Sequence, residues 1–115
     1  MRFELEERVE RFGESVIHLA KTIKITIISK PIIEQLIRSA TSIGANYFEA
    51  NAASSKKDFI NKIYICKKES KETQHWLRML SCTDEKTKPK AREFYTEARE
   101  LSMIFSSIIT KTKGK

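Results

Sequence analysis

The chain has 115 residues, 22 of them Lys or Arg and 15 Asp or Glu, for a formal net charge of +7. Three glycines and two prolines are too few for the turns of an all-β sandwich or barrel, and they also exclude collagen-like and low-complexity chains. Two cysteines without Cys-x-x-Cys spacing make neither a disulfide framework nor a structural zinc site, and no apolar run approaches the ~20 residues that span a bilayer.

Leu5, Val9, Phe12, Val16, Leu19 and Ile23 step alternately by four and three, so they share one stripe of a first helix. The opening Met1–Glu7 is too acidic for a signal peptide, and the expectation is a reduced, cytoplasmic protein. Ile23–Ile28 is a β-branched run with strand propensity. No second strand exists to pair it, so it is expected as a frayed helix end and connection. Ile33, Leu36, Ala40, Ile43, Tyr47 and Ala50 repeat the step in a second helix, with Pro31 tolerated in its first turn. Ser55 and Asp58 resemble a capping box for a third helix, whose stripe is Phe59, Ile63, Cys66, Ser70, Thr73, Leu77 and Leu80. Ser81–Thr87 separates it from a fourth, where Pro89 sits near the start and Ala91, Phe94, Ala98, Leu101, Phe105 and Ile108 form the stripe. The predicted fold class is all-α: an up-and-down antiparallel four-helix bundle, one domain over residues 1–110 with a basic flexible tail over 111–115.

The apolar residues exceed one stripe per helix. Ile32, Ile37 and Phe48, then Ile60, Tyr64 and Ile65, then Ile104 and Ile109 widen the arcs and predict a second buried surface, most simply self-association. The charge is also uneven. Residues 1–54 carry seven basic and seven acidic side chains, and residues 55–115 carry fifteen and eight, so the whole excess lies in the second half. Such an excess points to an anionic partner. On the third helix Lys57, Asn61, Tyr64, Lys68, Lys71, His75 and Arg78 share one face, where cations could hold phosphates and a Tyr could stack on an unpaired base. Lys86, Lys88, Lys90 and Arg92 crowd the start of the fourth helix, a natural anion site.

Arg38, Asn46, Glu49, Glu69 and Glu72 fall at or near core positions. Buried carboxylates are costly unless paired. Arg38 is therefore expected to pair with Glu69 or Glu72, with Asn46 or Glu49 joining a structural polar network. Glu72-x-x-His75 has the spacing of di-iron bundles but occurs once, and His18 has Ser15 three residues before it, so neither a metal nor another cofactor is expected. Cys66 lies on the core stripe and reads as a small buried hydrophobe. No catalytic residue is assigned, because the chain has no triad, phosphate-cradling Gly loop or dinucleotide fingerprint.

The run Gln35–Asn46 continuing to Glu49, followed by Ser55-Lys56-Lys57-Asp58-Phe59-Ile60, resembles a four-helix-bundle family. Its members are encoded within intervening sequences of bacterial large-subunit ribosomal RNA genes. The family is similar to the accessory bundle proteins of diversity-generating retroelements. The resemblance covers nearly the whole chain and is sharpest over residues 35–80. It implies a small cytoplasmic bundle without enzymatic activity, assembled as a homopentamer. It also implies a basic surface for RNA or DNA or, alternatively, a scaffold for another protein such as a reverse transcriptase. Ala50-Asn51-Ala52-Ala53-Ser54 stands where family members carry a Gly-containing, Arg-bearing turn, so the second helix is expected to run further or to turn differently.

Overall fold

A computed structural model describes residues 2–114, with side chains from residue 4. Met1 and Lys115, the outer ends of the expected domain and tail, lie outside the described residues. Four helices follow one another: α1 (Arg2–Lys21), α2 (Ser29–Asn51), α3 (Lys56–Ser81) and α4 (Lys88–Lys113), with a 3-10 turn at Glu85–Thr87 before α4. No strand occurs among the described residues. Successive helices pack against each other, α1 and α4 touch least, and α1 and α3 lie on the diagonal without contact. The result is an up-and-down bundle measuring 47 × 20 × 20 Å.

The core is the set of stripes read from the sequence. Val16, Leu36, Ala40, Ile43, Ile63, Cys66, Leu77, Leu80, Ala98, Leu101 and Phe105 are fully buried. Phe59, Phe94 and Ile108 are partly buried against them. Of the additional apolar residues, Ile109 belongs to the core, and Ile32, Ile37 and Ile104 pack on its edge. Phe48 and Tyr64 remain exposed. The seam between α1 and α2 is close because it is lined by small residues. A Cβ on Gly13 would lie 3.7 Å from the Ala40 carbonyl and the Thr41 Cα, and one on Gly44 would meet the Glu10 carboxylate at 2.5 Å and the Val9 carbonyl at 3.7 Å. The looser α1–α4 seam is held by Arg8, whose guanidinium donates to both carboxylate oxygens of Glu97 at 2.7 Å and to Glu100 at 2.9 Å. The Glu97 bonds, foremost, hold the Arg8 pKa above its ordinary value.

The connection after α1 is more ordered than a frayed end. The Thr26 hydroxyl accepts from Ile28 N–H at 3.2 Å and Ser29 N–H at 3.0 Å, while Ser29 Oγ accepts from Thr26 N–H at 2.9 Å. Ser29 Oγ also donates to the Lys24 carbonyl at 2.8 Å, and Lys30 N–H reaches the Thr26 carbonyl at 2.9 Å. This is a reciprocal cap with Ser in the place usually held by Glu or Gln, and it satisfies N–H groups that have no partner within the helix. The start of α3 is simpler: Ser55 Oγ accepts from Asp58 N–H at 3.0 Å.

α2 does not run on through the altered segment. It stops at Asn51, where Ala52 N–H bonds to the Glu49 carbonyl at 3.1 Å, and no described residue takes a positive φ. Asn51 Nδ2 also donates to Glu6 at 2.7 Å, tying this turn to α1. At the other terminus, Lys111–Lys113 form the last turn of α4 where a flexible tail was expected. The physical reason is a contact with α3. The Lys113 ammonium donates to the Tyr64 hydroxyl at 2.7 Å and sits 5.0 Å from the ring centroid, and cations at a helix C-terminus favour the macrodipole.

Replacing Thr26 by Ala removes the acceptor for two helix-start N–H groups. Urea unfolding should show a loss of about 1 kcal/mol, with Thr26→Ser close to wild type. Equal stability of Thr26→Ala and wild type would mean that the cap contributes nothing.

Candidate functional site

The cationic region begins on the outer face of α3. Lys57, Asn61, Tyr64, Lys68, Lys71, His75 and Arg78 are all exposed there. None of Lys57, Lys68, Lys71 and Arg78 is in an ion pair among the described residues. The His75 ring packs edge-on against Trp76, with centroids 4.7 Å apart.

This face is purely cationic because the carboxylates of α3 point elsewhere. Glu69 and Glu72 turn toward α2, where one guanidinium meets both. Arg38 Nη1 donates to Glu69 at 3.2 Å, Nη2 pairs with Glu72, and Nε donates to Gln35 at 3.0 Å. Glu69 is buried, so Arg38 supplies the countercharge it needs. Glu72 also accepts from the Trp76 indole N–H at 3.1 Å. That bond, with the Arg38 bond and charge, holds the Glu72 carboxyl below the usual range against the opposing effect of burial. Beneath the pair, the Thr73 hydroxyl lies 2.8 Å from the Glu69 carbonyl and 2.9 Å from Ser39 Oγ. The polar centre of the α3 stripe is thereby satisfied inside the bundle.

Asn46 and Glu49 are not brought to this cluster. Asn46 Nδ2 donates to the Ser42 carbonyl one turn back at 2.9 Å, and Glu49 pairs with Lys62 at 2.8 Å. Glu72 is engaged by Arg38 and Trp76, so Glu72-x-x-His75 offers no free ligand pair. Among the described residues no three His, Cys, Asp or Glu side chains are grouped to hold a metal ion. Cys66 donates to the Ile43 carbonyl at 3.6 Å, and burial pushes its thiol up to about 12, which leaves it a packing residue.

The start of α4 divides into two sides. Lys90 lies 3.8 Å from Glu93, and Lys86 is exposed on the 3-10 turn. Lys88 and Arg92 instead border a groove shared with Arg78 at the end of α3. Tyr95 lines the same groove, and Arg99, also exposed and in no ion pair among the described residues, continues the step of four and three from Lys88 through Arg92 and Tyr95. Sequence reasoning passed over this second stripe as a site, although the same spacing rule would have found it. The acidic residues of α4 lie on its other edge: Glu97 and Glu100 engage Arg8 of α1. The bundle therefore separates charge, with unpaired cations along α3 and the adjoining edge of α4.

Among known proteins, residues 3–107 match the model of a family described as the 23S rRNA-intervening sequence protein. The chain is also similar to the crystal structure of a protein with unknown function from the S23 ribosomal protein family of Bacteroides thetaiotaomicron. That similarity has a TM-score of 0.84 and 32% sequence identity, over 96% of this chain and 99% of that chain. No curated protein matches.

Arg38→Ala should cost about 2 kcal/mol in urea unfolding at neutral pH, because two carboxylates lose their countercharge. The pH dependence has a definite sign. Glu72 is lowered in the folded state, so its contribution is full above the ordinary carboxylate range and is lost as pH falls through the folded value. The gap between wild type and variant should therefore narrow on acidification. A gap that is absent at neutral pH, or that widens in acid, would contradict the pairing.

Proposed function

The chain belongs to the 23S rRNA-intervening sequence protein family, and from that premise we propose that it is a non-enzymatic, cytoplasmic, homo-oligomeric bundle that binds nucleic acid through the α3–α4 face. One observation carries this reading: Lys57, Lys68, Lys71, Arg78, Arg92 and Arg99 are exposed on neighbouring edges of two helices and, among the described residues, free of ion pairs. Fixed cations along rigid helices displace condensed counterions from a phosphate backbone, and this release supplies most of the nonspecific affinity. His75 and Lys86, Lys88 and Lys90 extend the same field.

Self-association is the second part of this reading. The exposed large apolar side chains, among them Ile27 at 92%, Phe48 at 73% and Met103 at 64%, are the surface available to it. Assembly, with a pentamer as the reading, would repeat the basic face and multiply weak phosphate contacts by avidity.

Charge reversal of Lys68, Lys71 and Arg78 to Glu should weaken binding of mixed-sequence RNA or DNA by about 100-fold at low salt, with helical content unchanged because none of the three is paired. Filter binding measures the affinity and circular dichroism the helicity. Wild-type protein that retains no nucleic acid, or a triple variant that binds like wild type, would overturn the proposal. In a pull-down, a protein partner resistant to nuclease would favour the scaffold reading, in which the basic face meets an acidic protein surface.

A further inference from the structure

The groove between the end of α3 and the start of α4 differs from the rest of the cationic face. It is an open cleft of about 590 Å³, a volume within the usual range for small-molecule sites. Leu77 and Ala91 lie beneath it with essentially no exposed surface, so its accessible lining comes from the side chains around them. Arg78 borders it from α3, with Lys88 and Arg92 from α4, and Glu85 is the one carboxylate among its lining residues. Tyr95 forms a wall with 37% of its surface exposed, and its hydroxyl makes no hydrogen bond among the described residues.

The geometry points to a slot for one unpaired nucleotide. An exposed aromatic wall suits the face of a nucleobase, which is available only when the base is out of a duplex stack. Three cations at the rim suit the phosphates on either side of it. On the outer face of α3 the tyrosine of the cationic stripe, Tyr64, is already engaged by Lys113, so that face can hold a backbone without offering a free tyrosine ring. This assignment rests on the nucleic-acid reading and deepens it: the protein should prefer segments with unpaired bases, such as loops, bulges and ends, over blunt duplex. The chemistry is shared by RNA and DNA, and paired probes of each distinguish the two.

The test compares Tyr95→Ala and Tyr95→Phe with wild type on a single-stranded oligonucleotide, RNA or DNA, and on a blunt duplex of equal length. A 2-aminopurine in the single strand reports stacking by its quenching. Loss of one stacked base should weaken single-strand binding by about 10-fold in Tyr95→Ala, with near-wild-type affinity in Tyr95→Phe and duplex affinity unchanged in both. Quenching should disappear in Tyr95→Ala alone. Equal losses on single strand and duplex, or quenching that survives the Ala substitution, would overturn the slot while leaving the basic face intact. Absence of binding to every probe by wild-type protein would overturn the slot and the broader reading together.

Discussion

Arg38 decides where the charge of this bundle goes. Without it, Glu69 would be a buried carboxylate with no countercharge, and Glu72 would keep only its bond from the Trp76 indole. With it, both carboxylates of the α3 interior are drawn to the α2 side and fixed there, at 3.2 Å in the case of Glu69. Among the described residues, the lysines on the outer face are left without an ion pair. The same division recurs at the other seams. Glu97 and Glu100 are held by Arg8 across α1 and α4, and Glu49 is held by Lys62 across α2 and α3. Interhelical pairing consumes carboxylates in the seams, and the surplus of cations emerges on one face.

That surplus makes sense of an otherwise expensive arrangement. Unpaired lysines and arginines aligned on neighbouring helix edges repel one another, and a chain selected only for stability would intersperse them with acids. Here the diagonal placement of α1 and α3 keeps the acidic first helix away from the basic third. A polyanion relieves the repulsion and gains counterion entropy at the same time. The paired seams cost the fold little, since each ion pair is partly solvated, and they fix the helix register.

Much of this was legible in the sequence. The step of four and three located all four core stripes, because one buried residue per turn is a geometric necessity of an amphipathic helix. The partner of Arg38 was legible for the complementary reason that a carboxylate at an inner position demands a countercharge. The misses have physical causes as well. Ile23–Ile28 concealed a cap because its propensities are set by Ile, while the ordering is done by Thr26 and Ser29 through bonds that hydrophobic patterning does not register. Lys111–Lys113 looked like a tail because charge runs usually are, but Tyr64, nearly 50 residues earlier, anchors the last turn. The Lys88–Arg99 edge is hidden in the sequence because Lys88 and Arg92 also belong to the dense cationic cluster at the helix start, while Tyr95 and Arg99 join them only through the shared face. Asn46 read as a network member by position, yet it satisfies itself within its own helix.

The central claim is that the surplus cations act together on a phosphate backbone, and the salt dependence of binding tests it most directly. A face engaging four or more phosphates should give a plot of log affinity against log salt with a slope of about −3 or steeper on single strands, at roughly −0.7 per phosphate. A slope between zero and about −1 would mean that at most one phosphate is neutralised, and the separation of charge would then need an explanation other than a nucleic acid.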